Sequence, residues 1–314
     1  MASDRHAGLP AENGGGWPHR FALLTCVFTV VLILAGGLVT STGSGLAVPD
    51  WPNTFGYNMF LFPWSKMVGG VFIEHSHRLL GSLVGFLTIL TAAAIWKTDE
   101  RKWMRRLGAF AVGLVILQGV LGGMRVVLIK LNLAIVHACV AQVFFALMVS
   151  LALFTSRGWR EDTGETGDKG LARLGLITVS LLYVQIIFGA VLRHTGNRLD
   201  AHLLFAVLST IHVILLSYKT LKLPNPGALA KEANFLWVLL IVQLALGGAS
   251  WVGKYAAMGE AFTPVLIISI TSAHVVVGAM LFATSLVVAL RLNKSGLFAL
   301  KDTEAPVAAG GARA

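Results

Sequence analysis

His77, His137, His202 and His274 are the side chains of this sequence best placed to do chemistry. Each stands inside a long apolar run, toward the same end of four alternate runs. Ionisable groups are costly within a membrane span, so their presence there points to function. Imidazole suits iron, and two imidazoles at matching depth can supply both axial ligands of one haem. The four histidines therefore predict two haem sites: His77 with His137 in the first half, His202 with His274 in the second.

The densest chemistry lies in Glu74-His75-Ser76-His77-Arg78. Glu74 and His77 are spaced i,i+3 and share a helix face. His75 points about 160° away from His77. Glu74 and His77 can thus address one bound molecule, which makes Glu74 the candidate catalytic residue; an interfacial helix start is the plainer alternative for the segment. His137 and His274 have small neighbours, Ala138 and Ala273, which would leave room for a flat macrocycle. Arg78, Arg125, Arg193 and Arg198 stand on the same outer side. They could hold haem carboxylates bidentately or act only as snorkelling interfacial anchors. Arg125 and Arg193 are favoured, because each follows a Gln–Gly pattern. His194 is read as a carboxylate or interface group, or as neither. His212 lies roughly 15 Å deeper than His202 and is read as packing. His6 and His19 are tail residues without a role.

The elements that carry these residues are membrane helices. The chain has 314 residues, 56% of them hydrophobic and only 13% charged, a balance foreign to soluble domains. Eight apolar runs are long enough to cross a hydrocarbon core: roughly 21–42, 69–96, 106–128, 131–155, 172–192, 199–219, 234–253 and 264–290. The first exceeds a usual signal-peptide core and is read as a retained span. Most of the 25 Lys and Arg fall on the side that carries both termini, which predicts cytoplasmic termini, or matrix termini were this mitochondrial; the expected location is the cell's inner (cytoplasmic) membrane. The net charge of +10 therefore reports topology, not nucleic-acid binding. Cys26 and Cys139 both lie in spans, so no disulfide framework is expected.

The predicted organisation is an all-α integral membrane protein of two pseudo-symmetric four-helix bundles. A disordered tail (1–20) precedes the first half (21–155); a linker (156–171) leads to the second half (172–290) and a C-terminal tail (291–314). Odd spans carry Gln before small residues: Gln118 with Gly122 and Gly123, Gln185 with Gly189 and Ala190, Gln243 with Gly247 and Gly248. The first span has only the small pair, Gly36 and Gly37. Such residues let helices approach closely in lipid, and bundle cores commonly hold cofactors. The outer loop 43–68 is turn-rich and aromatic, fit either for a lid or for an ordinary re-entry.

Several segments, in order, resemble haem A synthase: Thr40 to Leu46 through Asp50-Trp51-Pro52, the Glu74–Arg78 segment, Gly122-Gly123-Met124-Arg125, His137 with Gln142, Arg193-His194-Thr195-Gly196 ahead of His202, and His274 with Gly278-Ala279. The resemblance covers about 20–290. It implies oxidation of a haem O methyl group to the formyl of haem A, by successive hydroxylation and loss of water, for terminal oxidase assembly. It implies substrate haem O at His77 and His137 and a haem b cofactor at His202 and His274; of the outer arginines, Arg78 and Arg125 are read with the first site and Arg193 with the second. Glu74 takes the place of the family's essential acid. The expected partners are haem O synthase and a membrane electron acceptor, with homo-oligomerisation open. Some members carry a cysteine pair in the first and third outer loops, which this chain lacks. A bis-histidine diheme cytochrome exchanging electrons with quinone is the alternative. A transporter is disfavoured, since no proline breaks the middle of a span.

Overall fold

A computed structural model describes residues 16–161, 168–256 and 261–294. Most of the expected tails and the centre of the expected linker lie outside the described residues. Eight helices are long and apolar enough to cross a membrane: α1 (Trp17–Ser41), α2 (Gly69–Thr98), α3 (Lys102–Leu128), α4 (Leu131–Thr155), α6 (Lys169–Thr195), α7 (Leu199–Leu221), α8 (Leu229–Tyr255) and α9 (Pro264–Leu292). A five-residue helix, α5 (Arg157–Glu161), follows α4. The fold is all-helical, and among the described residues the nearest thing to a sheet is one isolated bridge, Thr54 with Tyr57.

Helix ends extend a few residues beyond the apolar runs. α1 begins at Trp17 with Pro18 in its first turn, where the missing N–H leaves no helical bond unmade. His19 is therefore part of α1 rather than of a tail, and its Nδ1 lies 2.9 Å from the carbonyl of Ala152 that accepts from it. α6 runs to Thr195 and closes on Gly196 in the left-handed conformation, φ 73°. His194 thus sits on the last turn of a helix, not in a loop.

The helices form two rings. α1–α4 pack around one centre and α6–α9 around another, while α1, α4, α6 and α9 make the seam between them. Each ring has its own apolar core. Val84, Met104, Met148 and Leu151 fill the first; Leu182, Val213, Leu216 and Leu236 fill the second. Ile33, Phe145, Ala279 and Ala283 close the seam. Polar side chains inside the spans are absorbed locally. Thr29, Thr88 and Thr91 donate to carbonyls one turn back, and the Thr25 and Thr91 hydroxyls meet at 3.2 Å between α1 and α2. With these hydroxyls satisfied, the remaining buried polar atoms concentrate around two cavities.

Candidate functional site

The first cavity, about 420 Å³, lies inside the α1–α4 ring. His77 and His137 face it, together with Glu74, Gln118, Arg125 and Gln142. The second, about 340 Å³, lies inside the α6–α9 ring and holds His202 and His274 with Gln185, Gln243 and Lys254. Both volumes fall in the range of small-molecule and cofactor sites. Ala138, Gln142, Arg193, His194 and Val275 line both cavities and form a common wall.

Each histidine rests against a glycine of the preceding helix. A β-carbon at Gly36 would lie 3.1 Å from His77 Cε1, one at Gly122 3.4 Å from His137, one at Gly189 3.2 Å from His202, and one at Gly247 3.0 Å from His274. The small pairs therefore do more than let backbones approach: the first member of each is the seat of an imidazole. The glutamine one turn earlier reaches the same histidine. Gln118 Nε2 donates to the His137 carbonyl (3.1 Å), Gln185 Nε2 lies 3.1 Å from His202 Nδ1, and Gln243 Nε2 lies 3.3 Å from His274 Nε2. α1 has leucine, Leu32, at the corresponding position.

The loop 43–68 closes over the first cavity. Trp51, Pro52 and Met59 line it, and the Trp51 indole occupies the space a side chain at Gly123 would need. Three residues of the Glu74–Arg78 segment hold this strap. Glu74 Oε2 accepts from Val48 N (3.0 Å) and Oε1 from Arg78 (2.8 Å). Arg78 also donates to the carbonyls of Val48 (2.9 Å), Asp50 (2.7 Å) and Asn53 (3.1 Å). His75 is buried, with Thr54 Oγ1 3.1 Å from its Nδ1 and the Phe62 ring 5.1 Å away. At the strap's turn, the Asp50 carboxylate accepts from Phe55 N and Gly56 N, each at 2.8 Å. Burial alone would raise its pKa, but those backbone donors and Arg78 bring it below the usual value.

The spacing of the second imidazole pair fits a porphyrin iron. The His202 and His274 ring centroids are 6.4 Å apart, with planes at 72°. A metal bonded to one nitrogen of each ring at roughly 2 Å would set the centroids about 6 to 6.5 Å apart. Nδ1 of His77, His137 and His274 is buried with no hydrogen-bond partner among the described residues. No three of His, Cys, Asp or Glu gather among those residues as a bare ion would need. A pair of imidazoles completes a metal that arrives with four in-plane nitrogens of its own.

The family model for cytochrome oxidase assembly protein (COX15-CtaA) matches residues 19–201. The chain belongs to that family. Within it, the sequence is 31% identical over 186 residues to Heme A synthase of Alkalihalophilus pseudofirmus, covering 57% of this chain and 60% of the relative. It is 32% identical over 187 residues to Heme A synthase of Shouchella clausii, with the same coverage, and 28% identical over 180 residues to that of Shewanella oneidensis, covering 53% and 54%. The chain thus aligns with at most about 60% of the length of these curated relatives. The match to the cytochrome oxidase assembly family takes in the strap, the first cavity and the Arg193–His194 wall, and stops at the start of α7. The second cavity repeats the histidine–glycine contact beyond it.

Most residues singled out in the sequence converge, with shifts of role. His77 and His137 line the first cavity and His202 and His274 the second, and Glu74 shares the first with His77 while His75 turns away. The arginines divide. Arg125 lines the first cavity and packs against Gly45 of the strap. Arg78, expected to hold substrate, lines the first cavity as well, while its two terminal nitrogens donate to Glu74 and to strap carbonyls and clasp the strap. Arg193, expected at the cofactor alone, reaches from α6 to the Gly37 carbonyl (2.8 Å) and Ser41 Oγ (2.7 Å) of α1 and the Thr271 carbonyl (3.1 Å) of α9. Arg198 is exposed and 3.8 Å from Asp200. His212 Nδ1 bonds the Leu208 carbonyl of its own helix at 2.8 Å. Lys254 was missed. Its position on the last turn of an apolar run reads as an interfacial anchor, and only the fold turns it into a cavity.

Proposed function

We propose that this chain is a haem A synthase of the cytoplasmic (inner) membrane, both termini cytoplasmic, oxidising a methyl substituent of haem O to the formyl of haem A by successive hydroxylation. The observation that carries the reading is the inequality of the two cavities. Both have a seated histidine pair, but among the described residues only the first has a carboxylate and a closing strap. Among the described residues, Glu74 is the one acidic side chain lining either cavity. Membership in a cytochrome oxidase assembly family, and relatives named Heme A synthase, support the same assignment.

In this reading haem O enters the first cavity between His77 and His137, with Arg125 opposite its carboxylates. A haem b in the second, between His202 and His274, would supply a one-electron acceptor for the oxidation. Lys254 and Arg193 provide the positive charge its carboxylates require. The glycines seat each ring, and Gln185 and Gln243 orient those of the second pair, a supporting role that tunes both affinity and potential. The Glu74 carboxyl group lines the cavity together with His77 and is paired with Arg78. Its Oε2, held by one backbone N–H, is the oxygen able to take up a proton when the strap moves. Trp51 and Pro52 exclude water from the cavity mouth. Haem O synthase upstream and a membrane electron acceptor downstream complete the sequence. A diheme electron carrier would have no use for Glu74 or the strap.

The test is the pigment extracted from membranes that co-express this chain with a haem O-producing enzyme. Formyl or hydroxymethyl haem is expected. Unmodified haem alone would contradict the assignment.

A further inference from the structure

One charged group belongs to neither cavity alone. Arg193 is rooted on α6 in the second half, yet three backbone and side-chain acceptors on α1 and α9 fix its guanidinium at the seam. It lines both cavities. All three acceptors are neutral, and among the described residues no carboxylate pairs with it. The other cavity cations each line one cavity: Arg78 and Arg125 the first, Lys254 the second.

We infer that Arg193 is a charge shared by two haem sites, a positioning residue that serves the anionic edges of both bound porphyrins and couples their reduction potentials. The inference rests on the two-haem reading above. A fixed positive charge close to a redox centre favours its reduced form, because reduction adds negative charge. Away from water that influence is screened weakly. Arginine suits the position, since its planar fork can hold three acceptors on one edge and still offer donors elsewhere, and it stays charged when buried. The three acceptors span residues 37 to 271, so the contact also ties the rings together where electrons must cross.

The experiment is a spectroscopically followed potentiometric titration of the purified full chain loaded with ferric protoporphyrin IX, with the His77→Ala and His274→Ala variants assigning each transition to its cavity. Arg193→Gln is expected to lower both midpoint potentials. Arg125→Gln is expected to lower only the first, and Lys254→Gln only the second. Arg193→Lys, which keeps the charge on a different stem, must leave both in place or move both in the same sense. A shift in one potential alone, or in neither, for Arg193→Gln would overturn the inference. If that variant loses pigment, loss from both cavities with retention by Arg193→Lys supports it, and loss from one cavity contradicts it. Should Arg193→Gln not accumulate, Arg193→Lys decides: a change confined to one site sinks the shared charge. A wild-type chain holding one haem would end the two-site reading itself. Two haems without formyl product in the extraction assay would remove only the enzyme assignment.

Discussion

Gly247 leaves His274 just enough room: a β-carbon there would lie 3.0 Å from the imidazole Cε1. The same contact recurs at Gly36, Gly122 and Gly189, so the ring positions are set by what the neighbouring helix lacks. Gly247→Ala must push the imidazole from its place or the two helices apart, an overpacking cost of about 1 to 3 kcal/mol. The expected result is loss of low-spin haem from the second cavity with the first retained. Gly248→Ala, whose β-carbon meets nothing within 4 Å, is the control, and equal spectra for the two variants would refute the seat.

Gln185 approaches both nitrogens of His202, at 3.1 and 3.4 Å. Groups that orient a metal-binding histidine typically contribute about 10- to 100-fold in affinity. Gln185→Leu should weaken haem retention in the second cavity by that order in a haem-transfer assay to apomyoglobin. An unchanged off-rate would show that the glutamine does not orient the ring.

The strap depends on a buried ion pair. The Arg78 and Glu74 side chains are only 9% and 5% exposed, and removing one partner of such a pair costs about 3 to 5 kcal/mol. Arg78→Ala should therefore expose residues 43–68 to added protease while leaving the second haem bound. Glu74→Gln keeps an acceptor for Val48 N and should retain a closed strap, yet lose conversion. If Glu74→Gln converts haem O at the wild-type rate, the carboxylate acts only as a latch.

Acid should loosen the same strap. The Asp50 carboxyl titrates below its usual value in the folded strap, so its contribution is complete above the unfolded value of about 3.9 and fades as pH falls through the lowered one. Hydrogen exchange in 50–57 should rise across that acidic window and stay flat near neutral pH. Asp50→Asn should raise exchange at neutral pH and flatten the acid response. A wild-type response centred on neutral pH would contradict this origin.

The sequence carried the spans because lipid demands long apolar runs, and it carried the histidines because they interrupt those runs. It also carried the opposed directions of His75 and His77, which follow from helical geometry alone. What it could not carry depends on the packing of distant segments. Arg78 meets Val48, Asp50 and Asn53 only once the strap folds back. Arg193 finds Gly37 across 156 residues of chain, and no local pattern announces that reach. The glycine pairs were visible as close-packing residues, but their role as imidazole seats needs the partner helix in place. Lys254 stayed hidden because a basic residue at the end of a span has an ordinary explanation.

The central claim is that each four-helix ring clamps one iron porphyrin between two histidines. It is tested most directly by the haem content of the purified chain, alone and in four single His→Ala variants. The expected stoichiometry is two low-spin haems per chain when substrate is supplied. His202→Ala or His274→Ala should remove one of them, and His77→Ala or His137→Ala the other. A wild-type protein with one haem or none under saturating supply, or variants whose losses do not sort into those two pairs, would contradict the account.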